Sequence, residues 1–194
     1  MDKAQREHLI QAIAAHTRLN QIILLGGDAA AFALESSLPE LAGKQVMQVM
    51  LADSNQKSID YVFDSDSEFF GRHGYGAEAV YEDMFPMPDE WRDRATTIDV
   101  DAAGGKFQVI VPAIPDLCAM AISDAVTNGK EDEIGWVGAL LAAKALNVRD
   151  LWNATNQVED GDTLWPTVER LAQENGLEYD PDAWSEEEPE DFEP

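Results

Sequence analysis

With 194 residues, 45% of them hydrophobic, the chain is long enough to bury a core and too apolar for a disordered acidic polymer. Its 38 acidic residues against 13 basic ones give a formal net charge of -25. Such a field repels free nucleic acid and anionic membrane, because phosphate binding depends on neutralisation by Lys and Arg. The single cysteine, Cys118, excludes an internal disulfide, and its apolar neighbours make it a small buried side chain rather than a nucleophile. No apolar run approaches the roughly 20 residues of a membrane span. Residues 1–19 are polar and amphipathic, without a signal-peptide core, so a cytoplasmic protein is expected. The stretch from Glu178 holds nine acids and no base, yet the residues before it still carry 29 acids against 13 bases. A body this acidic favours a basic protein partner; the blander reading is solubility or adaptation to high salt.

In chain order, Asp2 to Arg18 predicts a helix with Leu9, Ile10, Ile13 and Ala14 on one face. Gln21 to Leu25 predicts a short strand buried on both faces. Gly26 and Gly27 make a turn, and Asp28 is expected to cap a helix over Ala29 to Leu34. Leu38-Pro39 is a break and Gln45 to Leu51 is strand-like. Ala52 to Gln56 reads as a polar loop, and Ser58 to Phe63 as a short helix. Asp64 to Gly76 is loop-rich, anchored by Phe69, Phe70 and Tyr75, and Phe85 to Pro88 is irregular. Thr96 to Val100 and Phe107 to Val111 flank Gly104-Gly105, a β-hairpin signal.

Helices are then expected over Leu117 to Ala125 and over Glu131 to Leu146, the latter with Ile134, Val137, Leu140 and Leu141 on one face. Two more are expected over Val148 to Ala154 and Thr163 to Asn175, closed by Gly176. The order predicts an α+β fold: a mixed sheet flanked by helices, a C-terminal helical region and an acidic tail. The corresponding boundaries are 1–112, 113–177 and 178–194, with the last segment expected to be flexible. Trp184 and Phe192 within it are either docking anchors or incidental.

A strand that feeds a glycine turn and a helix N-terminus presents backbone N–H groups to a phosphate. In this chain that element is Gly26-Gly27-Asp28. A site of this kind places its metal-binding carboxylates on the neighbouring strand, yet Val46 to Leu51 contains none.

Gly26-Gly27-Asp28-Ala29 is followed by Leu38-Pro39, Ile59-Asp60, Ser67-Glu68-Phe69, Gly74-Tyr75 and Val80. Met87-Pro88-Asp89-Glu90-Trp91-Arg92-Asp93-Arg94 and Asp116-Leu117 come next. In this order and spacing, over roughly Arg6 to Leu146, the chain resembles a group of bacterial nucleotidyltransferase-fold proteins of unassigned function. These are related in fold to abortive-infection and toxin–antitoxin nucleotidyltransferases. The resemblance implies a Glu-x-Asp pair on the second strand, holding Mg²⁺ against a nucleoside triphosphate, and a Lys on the helix after Asp116. The metal would neutralise developing phosphate charge and help activate a hydroxyl. Counted from Leu38-Pro39, the carboxylate positions fall on Val46 and Gln48, and the Lys position on Ala121. In this register the metal site is lost.

Asp99 with Asp101, and Asp64 with Asp66, are i, i+2 pairs that a displaced metal site would use. Asp60 reads as a structural cap or solvent residue. The three histidines, His8, His16 and His73, form no HExxH pattern; with one cysteine and no Ser-His-Asp spacing, zinc and hydrolase chemistry are poorly supported. Trp91, Arg92 and Arg94 form the basic-aromatic cluster, expected to be structural through an Arg–acid pair, with a phosphate contact as the alternative.

Two functional readings follow. The leading one is a catalytically inactive nucleotidyltransferase-like protein, a pseudoenzyme without cofactor. It acts by binding a basic protein partner, as an antitoxin, immunity or anti-defence factor or a nucleic-acid mimic. The alternative is an active Mg²⁺-dependent nucleotidyltransferase that uses a nucleoside triphosphate and displaced carboxylates to modify RNA or protein.

Overall fold

The computed structural model describes residues 1–17, 19–34, 45–51, 57–80, 87–102 and 105–185. The Leu38-Pro39 break, the 52–56 loop, Phe85-Pro86, Gly104 and Phe192 lie outside the described residues.

Helix α1 (Lys3–His16) starts at a capping box: the Gln5 N–H donates to Asp2 Oδ1 at 2.8 Å and the Asp2 N–H to Gln5 Oε1 at 2.9 Å. It buries Leu9, Ile10 and Ile13. Strand β1 (Gln21–Leu24) leads into α2 (Gly26–Ala33), and β2 (Val46–Met50) follows. Helices α3 (Lys57–Phe63) and α4 (Glu68–His73) precede β3 (Gly76–Val80). A turn of helix, α5 (Trp91–Arg94), leads into the hairpin β4 (Thr96–Ala102) and β5 (Gly105–Val111). The remainder is helical: α6 (Ile114–Asn128), α7 (Gly135–Ala142), α8 (Val148–Asn156), α9 (Trp165–Glu174) and α10 (Pro181–Ser185).

The five strands form one mixed sheet in the order β3-β2-β1-β5-β4. β1 is antiparallel to β2 and parallel to β5; β2 and β3 are parallel, and β4 and β5 antiparallel. The fold is therefore α+β with helices packed on a mixed sheet. Its hydrophobic core is continuous from Leu9 and Ile22 through Val109 and Ile122 to Leu171.

Four expectations differ from the structure. Asp64 to Gly76, read as loop, contains α4, whose N-cap Ser67 accepts the Phe70 N–H at 3.1 Å. β3 is a strand where the sequence pattern predicts none. Its Gly76 is required by packing, since a Cβ there would lie 2.0 Å from the Phe63 carbonyl oxygen. The long helix expected over 131–146 is divided into a 3-10 turn at Glu131–Ile134 and α7. Part of the stretch expected to be tail is folded: α10 sets Trp184 against Trp152 and Tyr179, with ring centroids 5.7 and 5.5 Å apart.

Candidate functional site

Side chains alternate along a strand, so the ladder register assigns them to faces. Val46 and Gln48 share one face with Met50, which is paired with Ile23. Glu78, paired with Gln48, stands beside it, and Gln48 Nε2 donates to Glu78 Oε1 at 2.9 Å. Over this face α6 contributes Leu117, Met120 and Ala121, and the start of α2 contributes its N-cap Leu25 with Gly26 and Gly27. Together they enclose a cavity of about 390 Å³ that Asp28, Asp124, Lys130, Glu133, Ile134 and Trp136 also line. The structure thus brings Gly26, Gly27, Val46, Gln48 and Ala121 together from three separate segments of the chain.

Local geometry alters two roles. Gly26 and Gly27 are the first residues of α2 rather than a turn ahead of it, with Leu25 as the N-cap. Gly26 has φ +67°, a left-handed conformation that favours glycine. Asp28 is not the N-cap; it sits in the first helical turn, only 4% exposed. Its Oδ1 lies 3.6 Å from the amino group of Met1 and 3.5 Å from Arg6 Nη1. Burial pushes its carboxyl above the ordinary value, against the opposing pull of those two cations.

Val46 and Gln48 do not fit Mg²⁺ at the positions where the resemblance implies its ligands. Val46 has no donor atom. Gln48 offers a neutral amide, with its nitrogen bonded to Glu78 and its oxygen 3.1 Å from where a Cβ on Gly26 would stand. Among the described residues, no group of three or more His, Cys, Asp or Glu is arranged to hold a metal ion.

No family model, curated protein or solved structure matches this chain.

The displaced pairs lie elsewhere. Asp99 is opposite Gln108, which is opposite Gln21 at the start of β1, whereas the cavity opens at the end of β1. Three strand spacings and about four residues of rise separate Asp99 from Gln48, roughly 19 Å. Asp99 is exposed and bonded to Lys106 Nζ at 2.9 Å and Gln108 Nε2 at 3.4 Å. Those hydrogen bonds, Lys106 first, hold its carboxyl below the ordinary value. Asp101 lies one step further along the same edge, opposite Lys106. Asp64 accepts from the Ser65 hydroxyl at 3.0 Å in the turn between α3 and α4.

Asp60 accepts the Ala79 N–H at 2.9 Å, tying α3 to β3. In the basic-aromatic cluster, Arg94 donates from Nε and Nη2 to the two oxygens of Asp116 at 3.0 and 2.9 Å, and also from Nη2 to the Asp89 carbonyl at 2.8 Å. The Arg92 guanidinium lies 4.7 Å from the Trp91 ring centroid. His8, Phe69, His73 and Tyr75 pack together, with His8 Nδ1 2.6 Å from the Tyr75 hydroxyl. Cys118 is fully buried and desolvation pushes its thiol upward, so it is inert.

Sequence reasoning misses Glu78, Asp124, Lys130, Glu133 and Trp136. Glu78 is on the unanticipated strand, and Trp136 lies off the apolar face read for its helix. An acid at Asp124 among apolar residues of α6 was the available signal.

Among the described residues, no helix is long and apolar enough to cross a membrane.

Proposed function

We propose that the chain is a nucleotidyltransferase-like protein that has lost catalysis and works by binding a basic protein partner. The observation that carries this reading is the identity of the side chains beside Gly26-Gly27. β2 presents Val46 and Gln48 to the cavity, and α6 presents Ala121, where the resemblance implies two carboxylates and a lysine. The net charge of -25 supports a basic partner and disfavours free nucleic acid. An antitoxin, immunity, anti-defence or nucleic-acid-mimic role fits an acidic surface that meets a basic partner. The test is incubation with Mg²⁺, labelled nucleoside triphosphates and a mixture of RNA and protein acceptors. No label should be transferred, and calorimetry with Mg²⁺-triphosphate should give no saturable heat. Robust transfer that is abolished by Asp124→Asn or Glu133→Gln would sink the proposal, since those acids line the same cavity.

A further inference from the structure

The two edges of the sheet are treated differently. At the β3 edge, Asp60 reaches from α3 and takes the Ala79 N–H at 2.9 Å, so part of that edge is plugged by a side chain. At the other edge lies β4, seven residues from Thr96 to Ala102. Among the described residues, its backbone bonds only to β5. Thr97, Asp99 and Asp101 stand exposed on one face, while Ile98 and Val100 are half-buried and pack on the core. An edge strand with no such plug among the described residues is a template for another strand.

We infer that the open edge of β4 is a docking strand for an extended, lysine- or arginine-rich segment of a partner protein. The inference builds on the reading that the chain works through a basic partner, and it supplies the surface and the binding mode. Main-chain hydrogen bonds along β4 provide the attachment, and alternate side chains provide the selection. Charge decides the occupant. Antiparallel pairing of two copies centred on Asp99 would set Asp99 against Asp99 between bodies that each carry -25. Lys106, bonded to Asp99 and opposite Asp101, offsets part of the charge of those two acids within one chain but leaves the overall field uncompensated. The same acids that discourage self-pairing therefore favour a strand whose alternate residues are cationic.

The probe is a nine-residue peptide of alternating lysine and valine, beside a glutamate–valine counterpart and a lysine–valine copy N-methylated throughout. The N-methylated copy keeps the charge but cannot donate backbone hydrogen bonds, which separates strand pairing from general attraction to an acidic protein. Amide hydrogen exchange of the full chain should slow at least tenfold for about half the amides of 96–102 with the lysine–valine peptide alone. Asp99→Asn/Asp101→Asn should weaken binding several-fold while the protein stays folded by circular dichroism. Equal binding of the N-methylated copy, protection confined to other segments, or outward amides of β4 already slow in the free monomer would each overturn the inference. Nucleotide transfer together with protection of β4 would sink the proposed loss of catalysis and leave this surface standing. Absence of both would do the reverse.

Discussion

Gln48 stands over Gly26: the point where a Cβ would sit on Gly26 is 3.1 Å from Gln48 Oε1, and the amide is held there by its bond to Glu78. Gly26→Ala therefore meets two obstacles, a φ of +67° and that contact. A loss of about 1–2 kcal/mol in urea unfolding is expected, mostly from the left-handed backbone. In a Gln48→Ala background only the steric part should disappear, so the two substitutions should be measurably non-additive.

The face of β2 that carries Gln48 also carries Val46, so a carboxylate pair can be introduced there. Val46→Glu/Gln48→Asp places two carboxylates on one face of β2, beside Glu78. Without metal the extra charges repel, and the thermal midpoint should fall by several degrees. Millimolar Mn²⁺ should restore it, with a saturable calorimetric signal absent from the parent. A midpoint indifferent to Mn²⁺ would show that the register drawn through Val46 and Gln48 is wrong.

Strands β1 and β2 are legible as short apolar runs, the first ending at Gly26-Gly27. The β4–β5 hairpin is legible from Gly104-Gly105. β3 is not, because Gly-Ala-Glu-Ala-Val contains one good strand former; it becomes a strand through pairing with β2 and through the bare Cα of Gly76 against Phe63. The expected start of α2 falls three residues late because Asp28 looks like a cap, whereas its carboxylate is turned toward Arg6 and Met1. The separation of Asp99 from the cavity depends on strand order, which local spacing does not encode.

Arg94 and Asp116 form a two-point pair with unequal burial: Asp116 is 1% exposed, whereas the Arg94 side chain is 36% exposed. Removing the arginine leaves a buried carboxylate alone, and removing the carboxylate leaves an arginine that reaches water. Arg94→Ala should therefore cost about 3 kcal/mol and Asp116→Ala less, by chemical denaturation. Arg94→Lys should recover little, because one ammonium cannot reproduce the fork or the bond to the Asp89 carbonyl.

Asp28 and Asp99 set opposite pH dependences. Burial raises the Asp28 carboxyl above its ordinary 3.8, so its contribution is full below that value and is lost as pH rises through the folded value. The bond from Lys106, then that from Gln108, lowers Asp99, so its contribution is present above 3.8 and is lost as pH falls through the lower folded value. Relative to Asp28→Asn, the parent should lose stability as pH rises above 3.8. Lys106→Met should move the Asp99 carboxyl titration upward in an NMR experiment. An unchanged Asp99 midpoint would show that the bond is not maintained in solution.

Trp184 connects the acidic C-terminal stretch to the body. Its ring lies 5.7 Å from Trp152 on α8, which in turn lies 6.1 Å from Trp165 on α9. Trp152 is 9% exposed and its indole nitrogen has no hydrogen-bond partner, so its shielding depends on neighbouring rings. Trp184→Ala should cost about 1 kcal/mol, in the range for one aromatic pair beyond area burial. It should also red-shift the remaining tryptophan emission as water reaches Trp152. Truncation after Tyr179 should reproduce both effects, whereas truncation after Ser185 should leave emission unchanged and remove only charge. Because the removed residues 186–194 contain six acids and no base, that second variant also isolates the electrostatic share of binding to a basic partner. Its affinity for the lysine–valine peptide should fall only slightly at 150 mM salt, if pairing along β4 rather than bulk charge holds the peptide.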